Sequence, residues 1–110
     1  MKVDARFTEG LALFGEKEYY ECHEIIEALW LETPKDDPYR DLYQGVIQAA
    51  ASIYQLERGI LSGAIGLYRT AKIYLKPYEP SALGADVESI ITLMDELFKP
   101  WISTDIGKKP

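Results

Sequence analysis

Cysteine is scarce in this sequence: Cys22 is the one thiol among 110 residues. A single thiol excludes an internal disulfide framework. No signal-peptide pattern is visible at residues 1–8. Taken together, these two absences lead us to expect a protein of the reducing cytoplasm.

Long apolar runs are also missing. The longest segment without a charged residue spans positions 42–56, whereas a membrane-spanning helix needs about 20 consecutive apolar residues. The segment also carries four polar side chains, Gln44, Gln48, Ser52 and Gln55. We therefore expect no membrane insertion and interpret the segment as a buried helix.

Positive charge is in the minority, with 12 Lys and Arg against 18 Asp and Glu and a formal net charge of −6. No run of Lys and Arg lies between aromatic residues, so the sequence offers little that could neutralise a phosphate backbone. We expect no nucleic-acid partner.

Signals for β-structure are absent, because no segment alternates apolar with polar residues and no Asn-Gly or Asp-Gly turn occurs. Clusters of proline and glycine instead separate intervals with the 3.6-residue apolar period of helices. The sequence predicts an all-α, single-domain, up-and-down array of about five helices in residues 1–100, followed by a C-terminal tail at 101–110. The predicted helices cover residues 4–15, 19–33, 38–58, 62–77 and 86–99.

Capping residues support several of these limits. Asp37 before Pro38 predicts the start of the third helix, and Gly59 predicts its end. Ser62 and Asp86 are expected to cap the fourth and fifth helices. Apolar residues cover about half of the third helical wheel, more than the roughly 100° stripe of a surface helix, so we expect this helix to be central.

The second helix carries the most informative segment, Tyr-Glu-Cys-His-Glu-Ile-Ile-Glu at positions 20–27. His23 and Glu27 are one turn apart and share a face inside the apolar boundary. A carboxylate placed there needs a partner or a proton, since desolvation disfavours its ionised form. Cys22 lies on the apolar arc, where a thiol is usually inert packing.

The third helix offers partners on a narrow polar strip. Arg40, Gln44 and Gln48 follow one another at intervals of four residues, beside the small Gly45 and Ala51. We predict a polar cleft between the second and third helices. In it, the acid at position 27 accepts hydrogen bonds from the imidazole or a glutamine, and the guanidinium supplies a compensating charge.

Three interpretations of this cleft remain open. Its residues could satisfy one another and fix the helix register, or they could bind a small ligand. Alternatively, His23, Glu24 and Glu27 could hold a divalent metal ion. A zinc-protease helix needs His-Glu-x-x-His, and a di-iron bundle needs two Glu-x-x-His motifs, so the chain with its single histidine matches neither pattern.

Over residues 7–91 the chain resembles the family called domain of unknown function 309, whose members are small all-α proteins of bacteria and archaea. The resemblance rests on the segment 20–24 with Glu27 and Trp30, on Arg40 with the segment 44–48, and on the pairs Arg58-Gly59, Gly63-Ala64 and Gly84 with Asp86. It implies the activity sometimes attached to the family, a metal-dependent hydrolase. Where the family pattern often has a histidine, this chain has Tyr54 and Gln55.

Two functions from different classes follow from the sequence. The first is a helical binding or scaffold protein, with a small ligand or a protein partner at the cleft. The second is a metal-assisted hydrolase in which His23, Glu24 and Glu27 hold or serve a divalent ion that activates water. A homo-oligomer is also compatible with the sequence, because a five-helix array this rich in aromatics can leave an apolar face uncovered.

Overall fold

A computed structural model describes residues 2–107 of the chain, with side chains for residues 2–102. Its elements are the helices α1 (Ala5–Gly15), α2 (Tyr19–Glu32), α3 (Arg40–Glu57), α4 (Leu61–Leu75) and α5 (Val87–Gly107), with a short 3₁₀ turn at Lys76–Tyr78. Over these residues the structure has no β-strand, which confirms the predicted all-α class.

Consecutive helices pack against each other: α1 on α2, α2 on α3 and α3 on α4, while α5 rests on α3 and α4. No helix in the described part of the chain is long and apolar enough to span a bilayer. The predicted central position of α3 is confirmed, because half of its residues are buried: Leu42, Tyr43, Gly45, Val46, Ile47, Ala49, Ala50, Ser52 and Ile53.

Aspartate side chains cap the starts of α1 and α5. Asp4 accepts from the Arg6 N–H of α1 at 2.8 Å, and Asp86 accepts from the Ser89 N–H of α5 at 3.1 Å. The predicted start of α3 at Pro38 with Asp37 as its cap was wrong: Asp37 accepts from the Tyr39 N–H at 2.8 Å in the preceding turn, and the helix begins at Arg40. These contacts satisfy N–H groups that have no partner within the helix.

Gly59 ends α3 as predicted. Its φ of +79° is in the left-handed region. Its N–H bonds the carbonyl of Leu56 at 3.0 Å, while the Ile60 N–H bonds that of Gln55 at 2.9 Å, which together form a Schellman motif. The predicted cap at Ser62 was wrong, because α4 begins at Leu61 directly after this motif.

The predicted end of the fifth helix at Lys99 was wrong. Helix α5 continues through Pro100 to Gly107, although a proline within a helix removes one backbone hydrogen bond. Apolar packing on both sides of the proline accounts for the continuation, since Phe98 is fully buried and Ile102 packs against the core. Residues 101–107 of the predicted tail are therefore helical, and 108–110 lie outside the described residues. The division into a domain and a tail stays a prediction.

Glycine lets α3 and α4 approach closely. A Cβ atom at Gly45 would lie 2.6 Å from Leu75 Cδ2 and 3.2 Å from Tyr74 Cβ. The sequence had suggested that this glycine faces α2, but the structure places it against α4. A residue without a Cβ atom is needed there because both α4 residues pack directly over the α3 backbone.

Three polar side chains join α4 to α5 beside a stacked aromatic pair. Tyr68 donates to Asp95, and the Lys72 Nζ donates to the same carboxylate at 2.9 Å. The rings of Tyr68 and Phe98 stack with centroids 4.6 Å apart. Burial alone would raise the pKa of Asp95, but the hydrogen bonds from Tyr68 and Lys72 outweigh it, so the pKa lies below its ordinary value.

Substituting Gly45 by alanine should lower the free energy of unfolding by about 1–3 kcal/mol, because the added methyl group forces Leu75 aside. Gly66→Ala is the matched control: no atom lies within 4 Å of the position where its Cβ would be. It should raise the free energy of unfolding by about 0.5–1 kcal/mol through helix propensity. Urea titrations followed by circular dichroism measure both. Equal effects at the two positions would contradict the packing at Gly45.

Asp95→Asn should lower the free energy of unfolding at pH 7 by about 0.5–1 kcal/mol, a modest value because the carboxylate is partly exposed to solvent. Since the folded-state pKa is depressed, the contribution is present above the unfolded-state pKa near 4 and is lost as pH falls through the folded-state pKa. Wild type and variant should therefore converge in acid. Glu96→Gln, at an exposed position of α5, is the control. Its difference from the wild type in free energy of unfolding should not change between pH 7 and acid.

Candidate functional site

His23 and Glu27 both face α3, as the sequence predicted. His23 borders a cavity of about 130 Å³ between the two helices, together with Tyr20 of α2 and Ala51, Tyr54 and Gln55 of α3. The next cavity along the same seam, about 170 Å³, is bordered by Glu27, Trp30, Gln44, Ile47 and Gln48. We call these two adjoining cavities the α2–α3 groove.

Helical spacing explains how the groove arises. On α2, positions 23, 27 and 30 follow at intervals of four and three residues, so their side chains share one face. On α3, Gln44, Gln48, Ala51 and Gln55 follow the same rule. The small side chain at position 51 leaves the space that the imidazole of His23 adjoins. The structure therefore brings the predicted His23 and Glu27 together with the predicted Gln44 and Gln48.

Arg40 does not join this group. Its guanidinium lies over the Trp30 ring, 4.3 Å from the centroid, and its Nε donates to the carbonyl of Thr33 at 3.2 Å. The predicted pairing of Arg40 with Glu27 was therefore wrong. Both contacts place the guanidinium at the C-terminal end of α2, where a cation interacts favourably with the helix dipole.

The predicted hydrogen bonds of Glu27 are likewise not found among the described residues, where this carboxylate has no hydrogen bond or ion pair. Nearby, two buried polar atoms also lack a partner: the Nε1 donor of Trp30 and the Oε1 acceptor of Gln48. Unpaired buried groups of this kind each cost about 1–3 kcal/mol. The residues that border the second cavity thus include an ionisable carboxylate, Glu27, and two side chains that each carry a buried polar atom without a partner, Trp30 and Gln48.

The predicted metal-ligand candidates form a cluster at the junction of the two cavities. One donor atom each from His23, Glu24 and Glu27 lies within 4.8 Å of the others. The Nδ1 of His23 is 3.5 Å from the Oε2 of Glu24. An imidazole with two carboxylates is a donor set that suits divalent first-row metal ions. All three ligands come from two successive turns of α2.

Cys22 is an unpaired thiol in the core, as expected from its place on the apolar arc. Burial raises the pKa of this thiol to about 12, so little thiolate forms near neutral pH. A nucleophilic role requires the thiolate form. The structure therefore separates Cys22 from the polar chemistry of its neighbour His23.

Sequence reasoning overlooked three side chains of the groove. Trp30 enters the sequence analysis only through the family resemblance, and its indole N–H is not predicted as a donor. Tyr54 and Gln55 stand where the family pattern often has a histidine, and neither was assigned to the predicted cleft. The spacing of positions 44, 48, 51 and 55 could have found Gln55, because it continues the polar strip of α3 by one more turn.

Comparison with known proteins places these observations in a family. The family model of a domain of unknown function (DUF309) matches residues 7–67, which include the whole α2–α3 groove. The uncharacterised protein YpuF of Bacillus subtilis (strain 168) is 31% identical over 85 residues, or 76% of this chain and 48% of YpuF. The chain thus spans about half the length of this curated relative. No solved structure gives a significant match. Because the family model covers more than half of it, the chain belongs to the DUF309 family.

Proposed function

We propose that the protein is a binding protein whose α2–α3 groove takes a small cationic amide. The observation that carries this proposal is the pair of buried atoms without a partner, Trp30 Nε1 and Gln48 Oε1, in the residues that border one cavity with Glu27. A ligand that reaches both atoms would relieve two desolvated groups at once.

The polar groups of the cavity define the ligand by complementarity. The indole N–H of Trp30 calls for an acceptor, such as an amide carbonyl. The Oε1 of Gln48 calls for a donor, such as an amide N–H. The carboxylate of Glu27 favours a positive charge, and an ammonium group would form a charge-assisted hydrogen bond with it. A volume of about 170 Å³ limits the ligand to a few non-hydrogen atoms.

Glycinamide combines these three groups and serves as the probe. In a titration of the ¹⁵N-labelled full chain, the indole N–H resonance of Trp30 should shift and saturate, while that of Trp101 on α5 should not. We expect an affinity in the millimolar range, since so small a ligand has little surface to bury. Acetamide, which lacks the ammonium group, should bind at least fivefold more weakly.

Variants separate binding from folding. Glu27→Gln and Gln48→Leu should each weaken glycinamide binding at least fivefold. Gln48→Leu should also raise the free energy of unfolding by about 1 kcal/mol, because it replaces an unsatisfied acceptor with an apolar group. Glu21→Gln, at an exposed position of α2, is the control and should change neither quantity. An unmoved Trp30 resonance, or equal weakening by Glu21→Gln, would refute the proposal.

A divalent cation held by His23, Glu24 and Glu27 is a second candidate, which the three donor atoms within 4.8 Å favour. Such an ion would polarise a bound water molecule for hydrolysis, the chemistry implied by the resemblance to the family. The chain's own contribution would be to orient the imidazole and to keep Glu27 at the mouth of the cavity, where it faces an incoming substrate.

Calorimetric titration with Zn²⁺ tests this second candidate. One equivalent should bind the wild-type chain, and His23→Ala should weaken binding at least tenfold because it removes the single nitrogen ligand. Glu21→Gln should bind zinc as the wild type does. Heat of binding that persists in His23→Ala, or no stoichiometric binding at all, would eliminate the metal site. A chelator should leave glycinamide binding unchanged, so the two candidates can fail separately.

A further inference from the structure

A further cavity lies on the other side of Tyr19 from the α2–α3 groove, and Tyr19 borders both. It has a volume of about 490 Å³ and lies between the end of α1, the start of α2 and the first turns of α5. Its walls are mostly apolar, with Leu11, Phe14, Tyr19, Ile90 and Leu93 among them. A volume in this range is typical of sites for small organic ligands.

One wall of this cavity is a fixed aromatic pair. The rings of Phe14 and Tyr19 meet edge to face, with centroids 5.2 Å apart. Both residues are largely buried, at 7% and 5% exposure, so the core holds them in place. On the opposite side, Leu93 of α5 stays 36% exposed and is available to a ligand. The cavity is therefore apolar on both sides, and the side formed by Phe14 and Tyr19 is rigid.

A single positive charge borders the cavity at Lys17. This lysine ends α1 in a left-handed conformation with a φ of +66°. Its N–H bonds the carbonyl of Phe14 at 3.0 Å, and the Glu18 N–H bonds that of Leu13 at 2.9 Å, the pattern that Gly59 shows at the end of α3. Glycine is the favoured residue there, and a lysine in this conformation is strained because its Cβ crowds the backbone. Such backbone strain is common at functional sites.

The ammonium group of Lys17 has no ion-pair partner among the described residues. Asp86 also borders the cavity, but it is already engaged. One of its oxygens accepts from the Ser89 N–H at 3.1 Å and the other from the Ser89 hydroxyl at 2.8 Å. Its charge is further compensated by the N-terminal dipole of α5. The cavity is therefore bordered by one lysine without an ion-pair partner and by one carboxylate whose oxygens already accept hydrogen bonds, so a ligand anion is directed to Lys17.

We propose that this cavity binds an anionic amphiphile, a free medium-chain carboxylic acid, with its hydrocarbon chain between Phe14 and Leu93 and its carboxylate at Lys17. Apolar contact supplies most of the affinity, since every methylene group that leaves water for the cavity adds to it. The ammonium group selects the sign of the head group. The site shares Tyr19 with the first cavity of the α2–α3 groove but uses none of Glu27, Trp30 and Gln48, so it stands or falls separately from the proposed function.

Sodium decanoate and decylammonium chloride are a matched pair of probes with equal chain length and opposite charge. Calorimetry on the full chain should show one equivalent of decanoate bound and at least tenfold weaker binding of decylammonium. Lys17→Gln should weaken decanoate binding by about threefold to tenfold, the range of a partly exposed ion pair. Lys35→Gln, at an exposed lysine distant in sequence from the cavity, should leave it unchanged.

Two further variants distinguish a loss of decanoate binding from misfolding of the chain. Lys17→Gly removes the same charge but relieves the backbone strain, so it should weaken decanoate binding while raising Tm. Leu93→Asp should abolish decanoate binding with little effect on Tm, because the side chain is partly exposed. Absence of decanoate binding, or equal binding of the two probes, would overturn the proposal. So would a dimer in sedimentation velocity that Leu93→Asp converts to a monomer, because a second copy would then fill the cavity.

Discussion

The burial of α3 between α2 and α4 is the constraint on which the rest of the structure depends. A helix enclosed on both sides can keep polar side chains only along the seams with its neighbours. The seam with α4 is closed at Gly45, where Leu75 packs over the backbone. The seam with α2 holds Gln44 and Gln48, and there the two helices enclose polar cavities. The candidate site follows from this difference between the two faces.

Much of the fold could be predicted from the sequence, because its signals are local. Apolar spacing identified five helices, and Gly59 and Asp86 marked two of their limits correctly, whereas the start predicted from Asp37 and Pro38 lies two residues before that of α3. The error at the end of α5 arose where a local rule was overruled by tertiary packing. Pro100 discourages a helix, yet the burial of Phe98 and the packing of Ile102 keep the helix continuous. Sequence periodicity does not show how much the residues that follow a proline gain from packing against the core.

The candidate site was predicted less completely, since it depends on distances between helices. The shared face of His23 and Glu27 follows from spacing within one helix, and the structure bears it out. The partner of Arg40 does not follow from spacing within one helix, because a long side chain has several acceptors in reach. Here the Trp30 ring and the Thr33 carbonyl are nearer partners than the Glu27 carboxylate. A helical wheel also cannot show that an indole N–H or an amide oxygen is left without a partner.

The connections α1 to α2 and α3 to α4 are only three residues long, and neighbours along the chain are also neighbours in space. Such local topology favours fast folding. During synthesis the first four helices can thus assemble while α5 is still inside the ribosome. Helix α5 is made after these four helices, and its Asp95 then meets Tyr68 and Lys72 of α4. Docking of α5 also completes the apolar cavity beside Lys17, so ligand binding there would report that α5 is in place.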